Sequence, residues 1–137
     1  MSRTIWINAG ELSGDMHGAL LLKAIQEKAP DTAFTGMGGP HLREAGLDAR
    51  FAVEDLSVMG ITEVVGHLPR IFRLLSDIKA ALKSARPKAI IVIDAPDFHF
   101  RVIKAARELN IPVYYYISPK IWAWRQGRAE FIRANVR

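Results

Sequence analysis

Two aspartates, Asp94 and Asp97, stand on either side of a proline at the end of an apolar run, an arrangement suited to proton transfer. The run, Ala-Ile-Ile-Val-Ile, is typical of a strand that is buried on both faces of a parallel sheet. A carboxylate at the end of such a strand faces the ligand crevice and can accept a proton from an attacking hydroxyl. Asp97 also fits the N-cap of a helix that begins at Phe98. We therefore expect Asp94 to be the base, with Asp97 as the alternative.

A glycine-rich turn begins at Gly10, and its glycines recur at intervals of four residues. The spacing matches neither the dinucleotide fingerprint nor a phosphate-binding loop that ends in Lys-Ser or Lys-Thr. Glu11 and Asp15 add negative charge, which would repel a phosphate at a helix N-terminus. With Ser13 they are better suited to hydrogen bonds with neutral hydroxyls, such as those of a sugar. The structural alternative is that Ser13 is a helix N-cap and Asp15 complements the helix dipole.

The segment 118–128 combines two tryptophans with three cations, Lys120, Arg125 and Arg128. Aromatic rings can pack on the faces of sugars, and the cationic side chains of lysine and arginine can bind phosphate. The alternative is that the tryptophans only pack at a junction between a strand and a helix.

Metal chemistry is not indicated by the sequence. The chain has no cysteine, and its four histidines, at positions 17, 41, 67 and 99, have no partner four residues away. We interpret each histidine as a surface or packing residue and predict neither a metal site nor a disulfide.

The segment 61–82 has the apolar periodicity of a long helix. The stripe consists of Ile61, Val64, Val65, Leu68, Phe72, Leu75, Ile78 and Leu82. Ile71 and Leu74 lie on a second face, beside two arginines. Pro69 predicts a break in the helix that exposes part of this apolar surface, which suits lipid headgroups and acyl chains. The alternatives are a helix buried on both sides or a contact between subunits.

Short apolar runs alternate with longer amphipathic ones along the chain, a pattern that predicts βαβ units. The predicted strands are 4–9, 32–36, 50–53, 88–94 and 112–117, and the predicted helices are 15–29, 41–45, 61–85, 98–109 and 123–134. The fold class is α/β, a Rossmann-like parallel sheet with helices on both faces. Ligands bind such sheets at the carboxyl ends of the strands, so the loops that follow the strands should converge on one crevice.

Length and composition are those of one folded cytoplasmic domain. The chain has 137 residues, of which 50% are hydrophobic and 24% charged, and this composition excludes an intrinsically disordered segment. No apolar run approaches the roughly 18 residues needed to span a bilayer, and the N-terminus is too polar for a signal peptide.

The charge is distributed unevenly. Residues 1–68 carry five Lys or Arg against nine Asp or Glu, whereas residues 69–137 carry fourteen against five. This asymmetry indicates an anionic partner for the second half: nucleic acid, phosphate or a membrane surface. The alternative is a solvated basic surface without a partner.

Five motifs in order resemble those of the lipid-A-disaccharide synthase family. They are Ala-Gly-Glu-Leu-Ser-Gly-Asp at 9–15, Gly-Gly-Pro at 38–40, Val-Met-Gly at 58–60 leading to Glu-Val-Val-Gly at 63–66, Ile-Asp-Ala-Pro-Asp-Phe at 93–98, and Ile-Ser-Pro-Lys-Ile-Trp-Ala-Trp-Arg-Gln at 117–126. Each motif alone is weak, but the five in register are specific, and they span residues 5–128.

The resemblance implies an inverting glycosyltransferase of the two-domain GT-B type. Such an enzyme joins UDP-2,3-diacylglucosamine to 2,3-diacylglucosamine 1-phosphate (lipid X), releases UDP and forms the disaccharide of lipid A. It uses no cofactor, because the UDP-sugar is a substrate. Its implied partners are glycolipids and the anionic inner face of the inner membrane, where it is peripheral, and not nucleic acid; the oligomeric state stays open. Residues 1–137 would be the N-terminal acceptor-binding domain, inactive without the UDP-binding domain.

The resemblance also implies roles for individual residues. Asp94, or alternatively Asp97, deprotonates the acceptor 6-hydroxyl. The implied substrate-binding residues are Glu11, Ser13, Gly14, Asp15, Lys120, Trp124, Arg125 and Gln126. The implied membrane and acyl-chain residues are Val64, Val65, Leu68, Ile71, Phe72 and Leu75. Lys120 stands where the family is expected to have a small polar residue, so its role is open.

Two other classes of protein share parts of this pattern. A receiver-type regulatory domain has the same layout and an aspartate after a central strand, but it needs an acidic pair after the first strand, where only Glu11 is found. A soluble UDP-sugar epimerase of GT-B type is the second alternative, and it has no use for an exposed apolar stripe at 61–75.

Overall fold

The computed structural model of the chain describes residues 3–10, 12–52, 64–93 and 96–116. The strands are β1 (Arg3–Ala9), β2 (Thr32–Gly38), β3 (Asp48–Ala52), β4 (Ala89–Ile93) and β5 (Val113–Tyr116). The helices are α1 (Leu12–Lys28), α2 (Pro40–Ala45), α3 (Val64–Ala85) and α4 (Pro96–Glu108). The strands form one parallel sheet in the order β3-β2-β1-β4-β5, which confirms the predicted α/β fold.

Alternating side chains of the strands divide the core into two layers. On one face of the sheet, Trp6 and Val92 are buried with residues of α3 and α4. On the opposite face, Ile7 and Ile93 are buried with Leu22 of α1 and with residues around α2. The helices therefore cover both faces, as the sequence predicts, and the strands need apolar residues on both sides.

The periodicity of α3 correctly predicts two of its inward positions, since Ile78 and Leu82 are buried in the core. The prediction of a break at Pro69 is wrong, because the helix runs without interruption from Val64 to Ala85. The proline removes one hydrogen bond, to the carbonyl of Val65, close to the N-terminal end of the helix. Packing of the later turns offsets that loss.

Several element boundaries differ from the prediction by a few residues. α1 begins three residues earlier than predicted, at Leu12, and β2 extends to Gly38. α4 begins at Pro96, so Asp97 lies inside its first turn and not at an N-cap before Phe98. The helix predicted over 123–134 lies outside the described residues. Among the described helices, none is long and apolar enough to cross a membrane.

Candidate functional site

Three strands end at the same level on the carboxyl edge of the sheet. Ala9 of β1 is in register with Ile93 of β4, and Ile93 is in register with Tyr116 of β5. The loops that follow these strands therefore start side by side, in the arrangement that builds ligand crevices in parallel sheets. Asp94 is the next residue after Ile93, so the candidate base follows directly from the middle strand of the three.

Most of the predicted chemical groups fall outside what the structure describes. Asp94, Glu11, Lys120, Trp124, Arg125 and Gln126 lie outside the described residues. Ser13 and Asp97 are placed only by their backbone, each in the first turn of a helix. The roles inferred for these residues therefore stay predictions.

Asp15 has a structural role that the sequence does not reveal. Its side chain is completely buried, and its carboxylate accepts three backbone N–H groups, from Gly39 (2.7 Å), His41 (2.8 Å) and Leu42 (2.9 Å). These N–H groups belong to the start of α2, whose own N-cap residue is a glycine without a capping side chain. We correct the prediction that Asp15 contacts a sugar: its oxygens are occupied, and it fastens α1 to α2.

Gly14 likewise has a packing role. It lies within α1, where a Cβ would come within 3.2 Å of the Ile93 side chain. One turn later, a Cβ on Gly18 would come within 2.8 Å of the same residue. The glycines at intervals of four thus form one face of the helix that lets it approach β4 closely. We reassign Gly14 from a substrate-binding turn to this helix contact.

Three buried side chains near the carboxyl ends of the strands are linked by hydrogen bonds that the sequence analysis did not predict. The indole N–H of Trp6 donates to Oδ1 of Asn8 (3.0 Å), and Nδ2 of Asn8 lies 3.0 Å from Nε2 of His99. All three residues are fully buried. Asn8, a polar residue within the apolar strand β1, is the sequence signal for this interaction, but its partner His99 lies 91 positions later in the chain.

The hydrogen bonds from Trp6 through Asn8 determine which nitrogen of the His99 ring carries the proton. An indole nitrogen only donates, so the atom of Asn8 that it meets is the amide oxygen, and the amide N–H₂ points to the ring. Nε2 of His99 must then accept, which leaves the ring proton on Nδ1 and the ring neutral. Because His99 is in α4 and Asn8 in β1, this bond ties the beginning of α4 to the central strand.

The predicted acyl-chain surface is only partly exposed. Ile71 and Leu75 are half-buried and pack against the core, and Leu75 also lines a surface groove beside Phe72, so their contact with acyl chains stays a prediction. Phe72 is 48% exposed, and the Arg101 guanidinium lies 5.1 Å from the centre of its ring. The side chains of Val64, Val65 and Leu68 lie outside the described residues, and their role stays a prediction.

Phe72 borders a groove between α3 and α4 that is rich in cations. Other residues that line this groove are Lys79, Arg101, Lys104 and Glu108. Lys79 donates to Glu108 (2.6 Å), and this hydrogen bond and the charge of Lys79 lower the pKa of the Glu108 carboxyl. Since both side chains are exposed, the pair contributes little to stability.

Comparison with solved structures defines the class of the fold. The UDP-GlcNAc 2-epimerase from Neisseria meningitidis bound to UDP-GlcNAc superposes with a TM-score of 0.64 at 11% identity, over 97% of this chain and 38% of that one. Phytolacca americana UGT2 complexed with UDP-2fluoro-glucose and pterostilbene superposes with a TM-score of 0.54 at 18% identity, over 85% of this chain and 31% of that one. The domain thus has the Rossmann-like architecture found in GT-B glycosyltransferases and epimerases.

The sequence identifies the family. The family model described as lipid-A-disaccharide synthetase matches residues 5–136, and the chain belongs to that family. The lipid-A-disaccharide synthase of Anaeromyxobacter dehalogenans is 49% identical over 132 residues, which are 96% of this chain and 34% of that protein. The chain spans about a third of the length of the curated relatives it matches. Membership of this family sets aside both the receiver and the epimerase alternatives.

Proposed function

We propose that residues 1–137 are the acceptor-binding part of a lipid-A-disaccharide synthase that acts in lipid A biosynthesis. The observation that carries this proposal is the family match over residues 5–136, in which all five motifs of the sequence lie. The reaction joins UDP-2,3-diacylglucosamine to lipid X and releases UDP. UDP binding then belongs to the part of the relatives that this chain does not cover.

Asp94 is the base in the proposed reaction. The acceptor 6-hydroxyl gives its proton to the Asp94 carboxylate while its oxygen attacks the anomeric carbon of the donor. The bond from that carbon to the UDP oxygen breaks, and UDP leaves with the electron pair, so the anomeric configuration inverts. The alignment of Ala9, Ile93 and Tyr116 supports this assignment, because the connection that carries Asp94 starts at the centre of the carboxyl edge.

The remaining site residues have separate proposed roles. Glu11 and Ser13 hydrogen-bond hydroxyls of the acceptor sugar. Lys120, Arg125 and Gln126 are proposed to bind the acceptor phosphate or the donor diphosphate, and Trp124 to pack on a sugar face. No cofactor takes part, since the UDP-sugar carries the activated bond.

The proposal is tested in a hybrid that joins residues 1–137 to the remaining two thirds of the Anaeromyxobacter relative. We expect disaccharide formation from UDP-2,3-diacylglucosamine and lipid X. Replacing Asp94 by alanine should lower kcat by about a hundredfold or more, the scale of general-base catalysis, and leave lipid X binding intact. Asp97→Ala is the matched control.

The two variants separate the possible outcomes. If Asp97→Ala removes activity and Asp94→Ala does not, the base is the other aspartate. If the hybrid forms no disaccharide while the unmodified relative does under the same conditions, residues 1–137 do not supply the acceptor site. The 137-residue chain alone is expected to form no disaccharide.

We further propose that this domain is cytoplasmic and binds the anionic inner face of the inner membrane through the surface around Phe72. The exposed ring, the Arg101 guanidinium above it and Lys104 beside it support this, since aromatic and cationic side chains suit the headgroup region. The excess of cations in residues 69–137 acts in the same direction.

Sedimentation with vesicles tests the membrane contact. The chain should bind vesicles that contain phosphatidylglycerol, and added salt should weaken the binding. Phe72→Asp should reduce the bound fraction severalfold. Tyr114→Asp is the control, because Tyr114 is similarly exposed (46%) but lies on the opposite face of the sheet. Equal binding by the wild type and Phe72→Asp would refute a contact at this surface.

A further inference from the structure

His17 and Tyr116 form an aromatic pair at the carboxyl edge of the sheet. Their ring centres are 6.0 Å apart and the rings are tilted by 33°. His17 comes from the second turn of α1, and Tyr116 is the last residue of β5. Two elements that are distant in sequence thus bring one imidazole and one phenol together beside the strand ends.

The pair lies next to the position from which the candidate base emerges. Tyr116 is in register with Ile93, the residue before Asp94. His17 lies between Gly14 and Gly18, the two glycines through which α1 packs on Ile93. The backbone positions of both residues are therefore fixed beside the end of β4, that of Tyr116 by strand pairing and that of His17 by the packing of α1 through the two glycines.

Both rings are also accessible. Tyr116 is 42% exposed and His17 is exposed, and neither belongs to the buried clusters that hold the sheet and helices together. Large aromatic side chains that stay exposed next to a ligand crevice have surface to offer a ligand. Their chemistry suits an aminosugar phosphate: the phenol ring packs on the C–H face of a sugar, and an imidazole N–H donates to a hydroxyl or phosphate oxygen.

We propose that His17 and Tyr116 contact the acceptor headgroup, with the Tyr116 ring against the sugar and a His17 N–H on one of its oxygens. This inference rests on the proposed function and names two residues of its acceptor site. It replaces the interpretation of His17 as a surface or packing residue. Both side chains bind the acceptor and neither transfers a proton, so their removal weakens acceptor binding and leaves the base in place.

The same elements provide matched controls. Tyr114 projects from the same face of β5 and is exposed to the same degree (46%), but it is in register with Ile91, two residues before the strand end. That spacing moves its ring about 7 Å along the strand, away from the crevice. His41 is an exposed histidine on α2 and controls for loss of an imidazole.

The test uses the 137-residue chain and a soluble lipid X with shortened acyl chains, with the dissociation constant measured by calorimetry. Tyr116→Ala and His17→Ala should each raise the dissociation constant about fivefold, the scale of one aromatic or hydrogen-bond contact. Tyr114→Ala and His41→Ala should stay within about twofold of the wild type. Tyr116→Leu, which keeps an apolar side chain on β5, replaces Tyr116→Ala if that variant does not fold.

A second measurement needs no substitution. In the wild-type chain, the imidazole carbon-bound proton signals of His17 should shift on titration with the acceptor, and those of His41 should not. Binding by the wild type that His17→Ala and Tyr116→Ala leave unchanged, with a silent His17 ring, would overturn the inference and leave the proposed function standing. A wild-type chain that does not bind the acceptor at all would instead count against the proposed function.

Discussion

Replacing Asp15 by alanine is expected to lower the free energy of unfolding by about 3 kcal/mol or more. The substitution leaves the N–H groups of Gly39, His41 and Leu42 without the carboxylate that accepts them. A buried donor that loses its acceptor costs about 1–3 kcal/mol, and bonds to charged acceptors are at the upper end of the scale. Urea unfolding followed by tryptophan fluorescence measures the change.

Two further variants make this result interpretable. Asp15→Asn keeps one carbonyl oxygen and should lose less stability than Asp15→Ala. Asp31→Ala removes an exposed aspartate that follows α1 and should change the free energy of unfolding by less than about 0.5 kcal/mol. If Asp15→Ala is as stable as Asp31→Ala, the three hydrogen bonds do not stabilise the fold.

Replacing Gly36 by alanine is expected to prevent folding or to destabilise the chain by about 4 kcal/mol or more. Gly36 lies in β2 at a φ of +138°, where the register with β3 shifts, and L residues rarely adopt this conformation. A Cβ at this position would fall on the carbonyl oxygen of Ile7 in β1. The neighbouring group is backbone of the central strand, which cannot move aside without disturbing the whole sheet.

A variant at Gly46 separates the two causes of the loss of stability, which are backbone strain at a positive φ and the steric clash of the added Cβ. It also has a positive φ, of 119°, but a Cβ there would meet nothing within 4 Å. Gly46→Ala should therefore show only the backbone strain, about 1 kcal/mol. Circular dichroism and urea unfolding of the two variants make the comparison. A Gly36→Ala protein as stable as Gly46→Ala would show that β1 and β2 can separate enough to admit a methyl group.

The layout of the sheet was predictable mainly because β1, β4 and β5 are short apolar runs bounded by turn residues. The run at 89–93 shows this best, since a continuous apolar stretch between prolines indicates burial on both faces. Glycine misled the placement of the first helix. Gly14 favours a turn by its own propensity, but the close contact with Ile93 requires a glycine inside the helix.

The roles of buried polar residues were not predictable, because their partners are distant in sequence. Asp15 meets N–H groups 24 to 27 positions later, and Asn8 meets a histidine 91 positions later. Local spacing assigned Asp15 to a ligand contact and His99 to a surface or packing position. The orientation of α3 was ambiguous for a different reason: apolar residues occupy two adjacent faces, and only the packing against the core shows that Ile71 and Leu75 are half-buried while Phe72 is exposed.

The position of β1 in the middle of the sheet has a consequence for synthesis on the ribosome. Its pairing with β2 involves residues up to Met37, but its other neighbour, β4, supplies partners only from Ala89 onwards. At about 5–20 residues per second, the open edge of β1 waits several seconds for that strand. During this interval the nascent chain carries an apolar strand with one unpaired side, a template for wrong pairing. The bonds from Asp15 to α2 join groups that have all emerged by then, so they stabilise the first half of the sheet while the second half is still being made.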